Sequence, residues 1–363
     1  MNKLQKILDS HLFLTFISII IGFIIGSLFL LFVNISPVVA YSKLFSSIFG
    51  SAKALSYCVV YGTPLILTGL AVAFAFKTGV FNIGAEGQFI VGSMAACIVG
   101  IFVEAPSYIL VPLCFIAAAV AGALWGAIVG FLKVKWGINE VLSMIMFNWL
   151  AFYLSNYCVT LKAIHAEGAA EATKNVQKAA MILLPEGMRA NLAPTANYGI
   201  IIAIIAAIVV YIIMDKTTLG YQLKAVGYNK NAAEYGGINV AKTILLTMAI
   251  SGALAGIGGA TQLLGPGQRI SLFAGQEGYG FQGISVALIG ASNPFGTILA
   301  GIFYGALKYG GTKLNLIHAP SEIINVIMGT VVFCIAISHV FKIHLKKKKD
   351  KKIVEAKGGK NNG

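Results

Sequence analysis

Long apolar runs constrain this chain more than any other feature of it. From Ile200 to Ile213 it is almost pure Ile, Val and Ala, and comparable stretches recur from end to end. At 1.5 Å per residue, about 20 apolar residues cross the roughly 30 Å hydrocarbon core of a bilayer. Ten segments meet or approach that length: 12–33, 54–76, 84–103, 108–131, 138–161, 198–214, 242–264, 278–291, 295–312 and 321–341. Ten spans within 363 residues leave no room for a sizeable soluble catalytic domain. Charged residues make up 11%, against about 25% in soluble domains. The expected fold is an all-α polytopic membrane protein of about ten transmembrane segments. The second, third, eighth and ninth are Gly-rich and polar for spans, so they should be buried among other helices. The segment 278–291 is too short to cross alone and reads as a half-helix or re-entrant piece.

The net charge of +14 sits largely at one end. Nine lysines between Lys342 and Gly363 face only Asp350 and Glu355, a balance of 9 − 2 = +7. A lysine run after an apolar span is a cytoplasmic flank under the positive-inside rule, and it is not interleaved with aromatic residues as a nucleic-acid surface would be. Lys3 and Lys6 place the N-terminus on the same side, and ten crossings return the C-terminus there. The run after them is too long for a signal peptide's apolar core and reads as an uncleaved first span. The chain thus divides into a membrane body, 1–345, and a basic cytoplasmic tail, 346–363. Within the body, 162–197 lies outside and 215–241 inside.

Signatures of catalysis are missing. The sequence contains no phosphate-binding Gly-x-x-x-x-Gly-Lys-Ser/Thr, no His-Glu-x-x-His and no Gly-x-Ser-x-Gly. Cys58, Cys97, Cys114, Cys158 and Cys334 read as small apolar fillers, and the five histidines sit at span ends or in loops. No cofactor or metal is expected, and no enzyme activity.

The 215–241 loop is long for a passive connector. Leu219–Val226 forms a short helix that Gly227 breaks; Asn231 caps a second, with Glu234, and Gly236-Gly237 stops it. Two short amphipathic helices along the membrane would make a surface for a cytosolic partner, or simply an ordered connector.

Two segments carry polar residues where apolar ones are expected: Lys77–Ser93 and Gly265–Ser285. Gly-Ala-Glu-Gly-Gln-Phe-Ile-Val-Gly (84–92) faintly echoes Gly-Gln-Glu-Gly-Tyr-Gly-Phe-Gln-Gly (275–283), as paired broken helices at a repeat interface would. A mid-bilayer carboxylate costs about 2.5–3.5 kcal/mol. Glu86 and Glu277 therefore either order the broken helices or line a pathway, or else cap helix starts at the interface. A proton relay is disfavoured, on the expectation that no intramembrane His, Lys or Arg accompanies them. In the fifth span Asn148, Phe152 and Asn156 share a face. Amides beside aromatic rings could hold a flat polar solute, or could be helix–helix glue. Candidates for the pathway are Asn82, Glu86, Gln88, Asn148, Phe152, Glu277 and Gln282.

Together these segments resemble a known family. Asn82-Ile-Gly-Ala-Glu-Gly-Gln-Phe resembles the signature of ABC-transporter permeases of the branched-chain amino acid, ribose and nucleoside superfamily, in the form its nucleoside (simple-sugar-like) branch carries. Thr218–Asn239 looks like that family's coupling region. Ser251–Gly259 and Gly283–Gly296 match two further family segments, so the resemblance spans roughly 55–340. It implies a permease subunit in the cell membrane that forms the path for nucleosides. An ABC ATPase with nucleotide-binding domains would dock on the coupling region, where Gly220, Ala225, Val226, Gly227, Asn229, Ala232, Ala233, Gly236 and Gly237 are the implied positions. A second, different permease and an extracytoplasmic substrate-binding lipoprotein or periplasmic protein would complete the assembly. The alternatives are a permease for a simple sugar or other small polar solute, and a gradient-driven carrier that needs no ATPase.

Overall fold

The structure is a computed structural model that describes residues 11–168, 171–320, 322–335 and 337. All regular elements among these residues are helical, apart from isolated β-bridges. In chain order they are α1 (His11–Phe32), α2 (Pro37–Phe49), α3 (Ala52–Lys77), α4 (Ala85–Phe102), α5 (Ser107–Trp136), α6 (Glu140–Thr160), the four-residue α7 (Glu186–Arg189), α8 (Gly199–Lys216), α9 (Thr218–Tyr228), α10 (Lys230–Tyr235), α11 (Val240–Gln262), α12 (Tyr279–Ile289), α13 (Pro294–Thr312) and α14 (Ile323–Ile335). Each segment proposed from the sequence meets a helix, and α2 is an addition.

Among the described residues, seven helices are by length and composition apolar enough to cross a membrane: α1, α3, α4, α5, α6, α8 and α11 with its continuation to Gly267. The 11 residues of α12 reach only about 16 Å, half a hydrocarbon core. Burial follows the expected order. The apolar windows of α3 and α4 are 83% and 67% buried, against 28% for α5 and 33% for α6 and α8. Helices whose faces are polar and small need protein neighbours, whereas those rich in Ile and Leu tolerate lipid.

The chain divides into two units. One comprises 1–42 with 314–363, the other 43–313. In the first, α1 is held to the start of α2 by Tyr41, whose hydroxyl donates to the Phe23 carbonyl (2.6 Å) and whose ring meets Phe23 edge-on at 5.2 Å. Lys3, Lys6 and the 346–363 tail lie outside the described residues.

In the second unit α3 is the central helix, contacting α11, α12 and α13. Its N-terminus is capped by Ser51, whose side chain accepts from the Ala54 amide (3.1 Å). The most extensive pairing joins α5 and α11. A Cβ on Gly252 would run into the Gly122 carbonyl, and one on Gly122 into the Gly252 carbonyl, so the two backbones touch where both residues lack a side chain. Beyond Gln262, α11 loosens into one π turn, Leu263–Gly267, and ends at Gln268 with φ 61°. The segment 171–176 then runs beside 268–272: Thr173 N–H donates to the Ile270 carbonyl (2.8 Å), Leu272 N–H to the Glu171 carbonyl (2.8 Å) and Val176 N–H to the Gln268 carbonyl (2.9 Å).

Candidate functional site

The two polar segments meet. Gly278, at φ 82°, turns the chain into α12, and a Cβ on the next glycine, Gly280, would strike the Glu86 backbone. At this contact the Glu86 carboxylate accepts from Gly278 N–H (2.7 Å) and Gly280 N–H (2.6 Å). A residue at the start of α4 therefore caps the first turn of α12, where backbone donors are otherwise unpaired. Glu86 is fully buried. Of the readings open for it, the geometry is that of ordering a broken helix.

Asn82, Gln88 and Asn148 are buried beside it and matched by protein partners. The Asn82 amide nitrogen donates to Gln88 Oε1 (2.9 Å) and lies 2.6 Å from Ser251 Oγ; its oxygen accepts from Gly84 N–H (3.0 Å). Ser251 in turn donates to the Ala71 carbonyl (2.7 Å), so the turn before α4 is tied to both α11 and α3. Asn148 of α6 accepts from Gly87 N–H (2.8 Å) and donates to the Ile83 carbonyl (3.0 Å). Two turns further along α6, Asn156 does the same to the second polar segment: it donates to the Phe273 carbonyl (3.1 Å) and accepts from Phe273 N–H (2.9 Å). One helix thus holds both segments by bidentate amide contacts, and sequence reasoning placed the two asparagines on one face without their partners. Phe152, between them, is buried against Trp149, Tyr153 and Phe273.

The expectation that no intramembrane cation accompanies the glutamates is overturned by Lys308 of α13. Its ammonium donates to Gln282 Oε1 (3.0 Å), sits 3.8 Å from the centre of the Tyr279 ring, and is within electrostatic reach of Glu277 and Glu86. A single lysine inside the ninth apolar segment was the available signal, masked by the Gly and Tyr residues around it. Glu277 is exposed and Gln282 half-buried.

Between the start of α4, the end of α11 and the 268–278 loop lies an open cavity of about 450 Å³, whose wall includes Phe89, Ser93, Gln262, Arg269, Phe273 and Glu277. Glu277 is the one sequence-nominated residue on it; Asn82, Glu86, Gln88 and Asn148 lie behind the wall, at most 1% exposed.

The 215–241 loop forms its two short helices with different caps from those expected. α9 continues through Gly227 to Tyr228, and Asn229 rather than Asn231 caps α10, accepting from Ala232 N–H (3.1 Å). Gly236 and Gly237, the latter at φ 79°, end it as anticipated. Gly227 is not a helix breaker but a contact: a Cβ there would strike the Lys77 carbonyl. Gly220 likewise lies under the Ile213 and Met214 carbonyls. Val226 and Ala233 are buried with Val80, Val129, Met144, Ile244 and Met248, and Ala225 packs against them. Asn229, Ala232, Gly236 and Gly237 are on the outside. There the sequence reading missed the most prominent side chains, Tyr221, Tyr228 and Tyr235, which are 69%, 90% and 95% exposed. Among the described residues no group of His, Cys, Asp and Glu is arranged to hold a metal ion.

Residues 54–336 match the family described as branched-chain amino acid transport system / permease component. The chain is 37% identical to the guanosine ABC transporter permease protein NupP of Bacillus subtilis, over 94% of this chain and 98% of that protein. It is 34% identical to the nucleoside ABC transporter permease protein NupB of Lactococcus lactis, over 98% and 97%. It is 32% identical to the glucose ABC transporter permease protein TsgB13 of Haloferax volcanii, over 90% and 87%. No solved structure matches it.

Proposed function

The chain belongs to the family of branched-chain amino acid transport system permease components, and from that premise we propose that it forms the translocation pathway for nucleosides in an ATP-driven importer. The observation that carries this reading is the near-full-length similarity to guanosine and nucleoside permeases. Hydrolysis belongs to a separate ABC ATPase, because this chain carries no phosphate-binding loop of its own. A second, different permease completes the pathway, and an extracytoplasmic binding protein delivers the solute. In the cell membrane the chain has about ten membrane segments with both ends cytoplasmic; α13 is one of the shorter ones, and α12 by itself enters only half the hydrocarbon core.

The coupling route follows from the contacts. The ATPase docks on the exposed face of α9 and α10. Gly227 rests on the Lys77–Gly79 turn, and Val226 packs with Val80, only two residues before Asn82. A push on α9 is therefore delivered to the turn that starts α4, and through Glu86 to α12. Rocking of these elements alternates access to the cavity. A simple-sugar cargo is the second reading, supported by the similarity to a glucose permease.

The test is co-purification from native membranes, followed by uptake in proteoliposomes. Recovery of an ATPase and a second permease, with ATP-dependent guanosine or uridine uptake, supports the proposal. Uptake by this chain alone without ATP replaces it with a gradient-driven carrier, and ATP-dependent uptake of glucose but not nucleosides replaces the cargo.

A further inference from the structure

We propose that the 450 Å³ cavity is the solute subsite of this chain, built for an uncharged, flat, polar solute that stacks on Phe273 and hydrogen-bonds to Arg269 and Glu277. The proposal rests on the importer reading and says where, and by which side chains, this subunit holds its cargo.

Size comes first. The cavity lies within the roughly 300–1,000 Å³ of small-molecule sites. Its wall then separates into three kinds of surface. Two rings line it, but they are not equivalent. Phe89 is already stacked on Tyr279 at 5.1 Å and is 1% exposed, so its face is taken. Phe273 is half-buried, and its backbone is clamped on both sides by Asn156. One side of its ring packs toward Phe152, with centroids 6.5 Å apart, and the ring is only partly covered, so a part-displayed ring on a fixed support is offered to a planar solute.

The second surface is ionic. Arg269 and Glu277 are both exposed and both on the wall; among the described residues neither makes an ion pair within 4 Å, and Glu277 feels Lys308 only at longer range. Arg269 offers only donors and Glu277 only acceptors. Together they favour a solute with hydroxyl or amino donors at one end and carbonyl or ring-nitrogen acceptors at the other. A phosphorylated solute would meet the Glu277 carboxylate, and a cation would meet Arg269; the opposed signs select for neutrality. The third surface, Ser93 and Gln262, adds neutral donors and acceptors. A nucleoside satisfies all three surfaces, and a nucleotide does not.

The wall is also preorganised. Thr173 holds Ile270 from both sides, donating through its N–H to the Ile270 carbonyl and accepting from Ile270 N–H at Oγ1 (3.1 Å). The Ala172 and Ser271 backbones form an antiparallel bridge. The loop that carries Arg269 and Phe273 is thus strapped at one end and clamped at the other.

The experiment uses the complete importer in proteoliposomes, with Ser271→Cys on the cavity wall in a Cys158→Ser, Cys334→Ser background. Its labelling by a small methanethiosulfonate reagent is expected to slow at least fivefold in saturating guanosine or uridine, and not in uridine monophosphate. In parallel, Phe273→Leu is expected to raise the half-saturating nucleoside concentration about tenfold, in line with the loss of one base–aromatic stack, and Glu277→Gln about as much, through the loss of a charged acceptor. Unchanged labelling in a complex that does take up nucleoside overturns the subsite and leaves the importer reading intact. Equal protection by the monophosphate overturns the selection for neutrality. Failure of the unmodified complex to take up any nucleoside overturns the importer reading, and the subsite with it.

Discussion

Replacing Glu86 with alanine removes the side chain that accepts from the leading backbone amides of α12, leaving the Thr68 hydroxyl, which donates to the Tyr279 carbonyl (3.0 Å), as a side-chain bond to that first turn. The carboxylate accepts from the amides of Gly278 and Gly280 at 2.7 and 2.6 Å, both short enough to be strong charge-assisted bonds. Each hydrogen bond to a charged group contributes about 1.5–3 kcal/mol, and a buried donor left unpaired loses a similar amount. The two together hold the start of α12 by at least about 3 kcal/mol, a factor of roughly 100 in an opening equilibrium. The assay is hydrogen exchange by mass spectrometry on peptides covering 276–283, in detergent. Exchange there should accelerate about 100-fold in Glu86→Ala, with peptides of α5 unchanged, and uptake should be abolished. Glu104→Ala, in the exposed turn after α4, should change neither. Wild-type protection at 276–283 in Glu86→Ala, or equal losses in the two variants, would refute the assignment of Glu86 as the cap that sets α12.

Other contacts carry predictions of their own. Gly227→Asp forces α9 off the Lys77–Gly79 turn, so uptake should vanish while the chain stays in the membrane; normal uptake would mean α9 does not transmit. Ala233→Asp buries an unpaired carboxylate beside Val226 and Met248, and should lower thermal stability in detergent. Tyr228→Ala and Tyr235→Ala, on residues 90% and 95% exposed, should leave stability alone and weaken ATPase co-purification; ATPase recovery at the wild-type level would remove these rings from the docking face. Lys308→Met strands Gln282 and leaves Glu277 facing Glu86 without a cation, so uptake should fall at least tenfold and partly recover in Lys308→Met with Glu277→Gln. Additive losses in that pair would show that the lysine and the glutamate act independently. Asn156→Asp keeps the acceptor but loses the donor to Phe273, and should impair uptake less than Asn156→Leu, which loses both; the opposite ranking would rule out the clamp.

Much of this architecture was legible because it is local. Apolar length alone places the helices from α3 to α13 near their observed positions, apart from the four-residue α7 and the loop helices α9 and α10, which Gly and cap residues indicated. Gly and polar content separate the buried α3 and α4 from the lipid-tolerant α5 and α8. Gly236-Gly237 marks the end of α10, since a glycine at positive φ is a property of a few residues. Within the coupling loop, however, the sequence does not say which side faces in. Gly227 and Ala233 read as docking positions; Gly227 is exposed while lying against the end of α3, and Ala233 is buried in a cluster with Val226 and Met248. A six-residue helix such as α10 has too little periodicity to show its buried face.

The sequence by itself determines that the chain is made of membrane helices, roughly where the long apolar ones lie, and that two Gly-rich polar segments interrupt the pattern. These follow from hydrophobicity and backbone preference, which act over a turn or two. Only the tertiary structure decides what the polar residues are for. Glu86 finds its amides 192 and 194 positions away, Asn156 finds Phe273 117 away, and Lys308 finds Gln282 26 away, across a helix junction. In an apolar interior every such group must meet a partner, and which partner it meets is settled by how the helices stack.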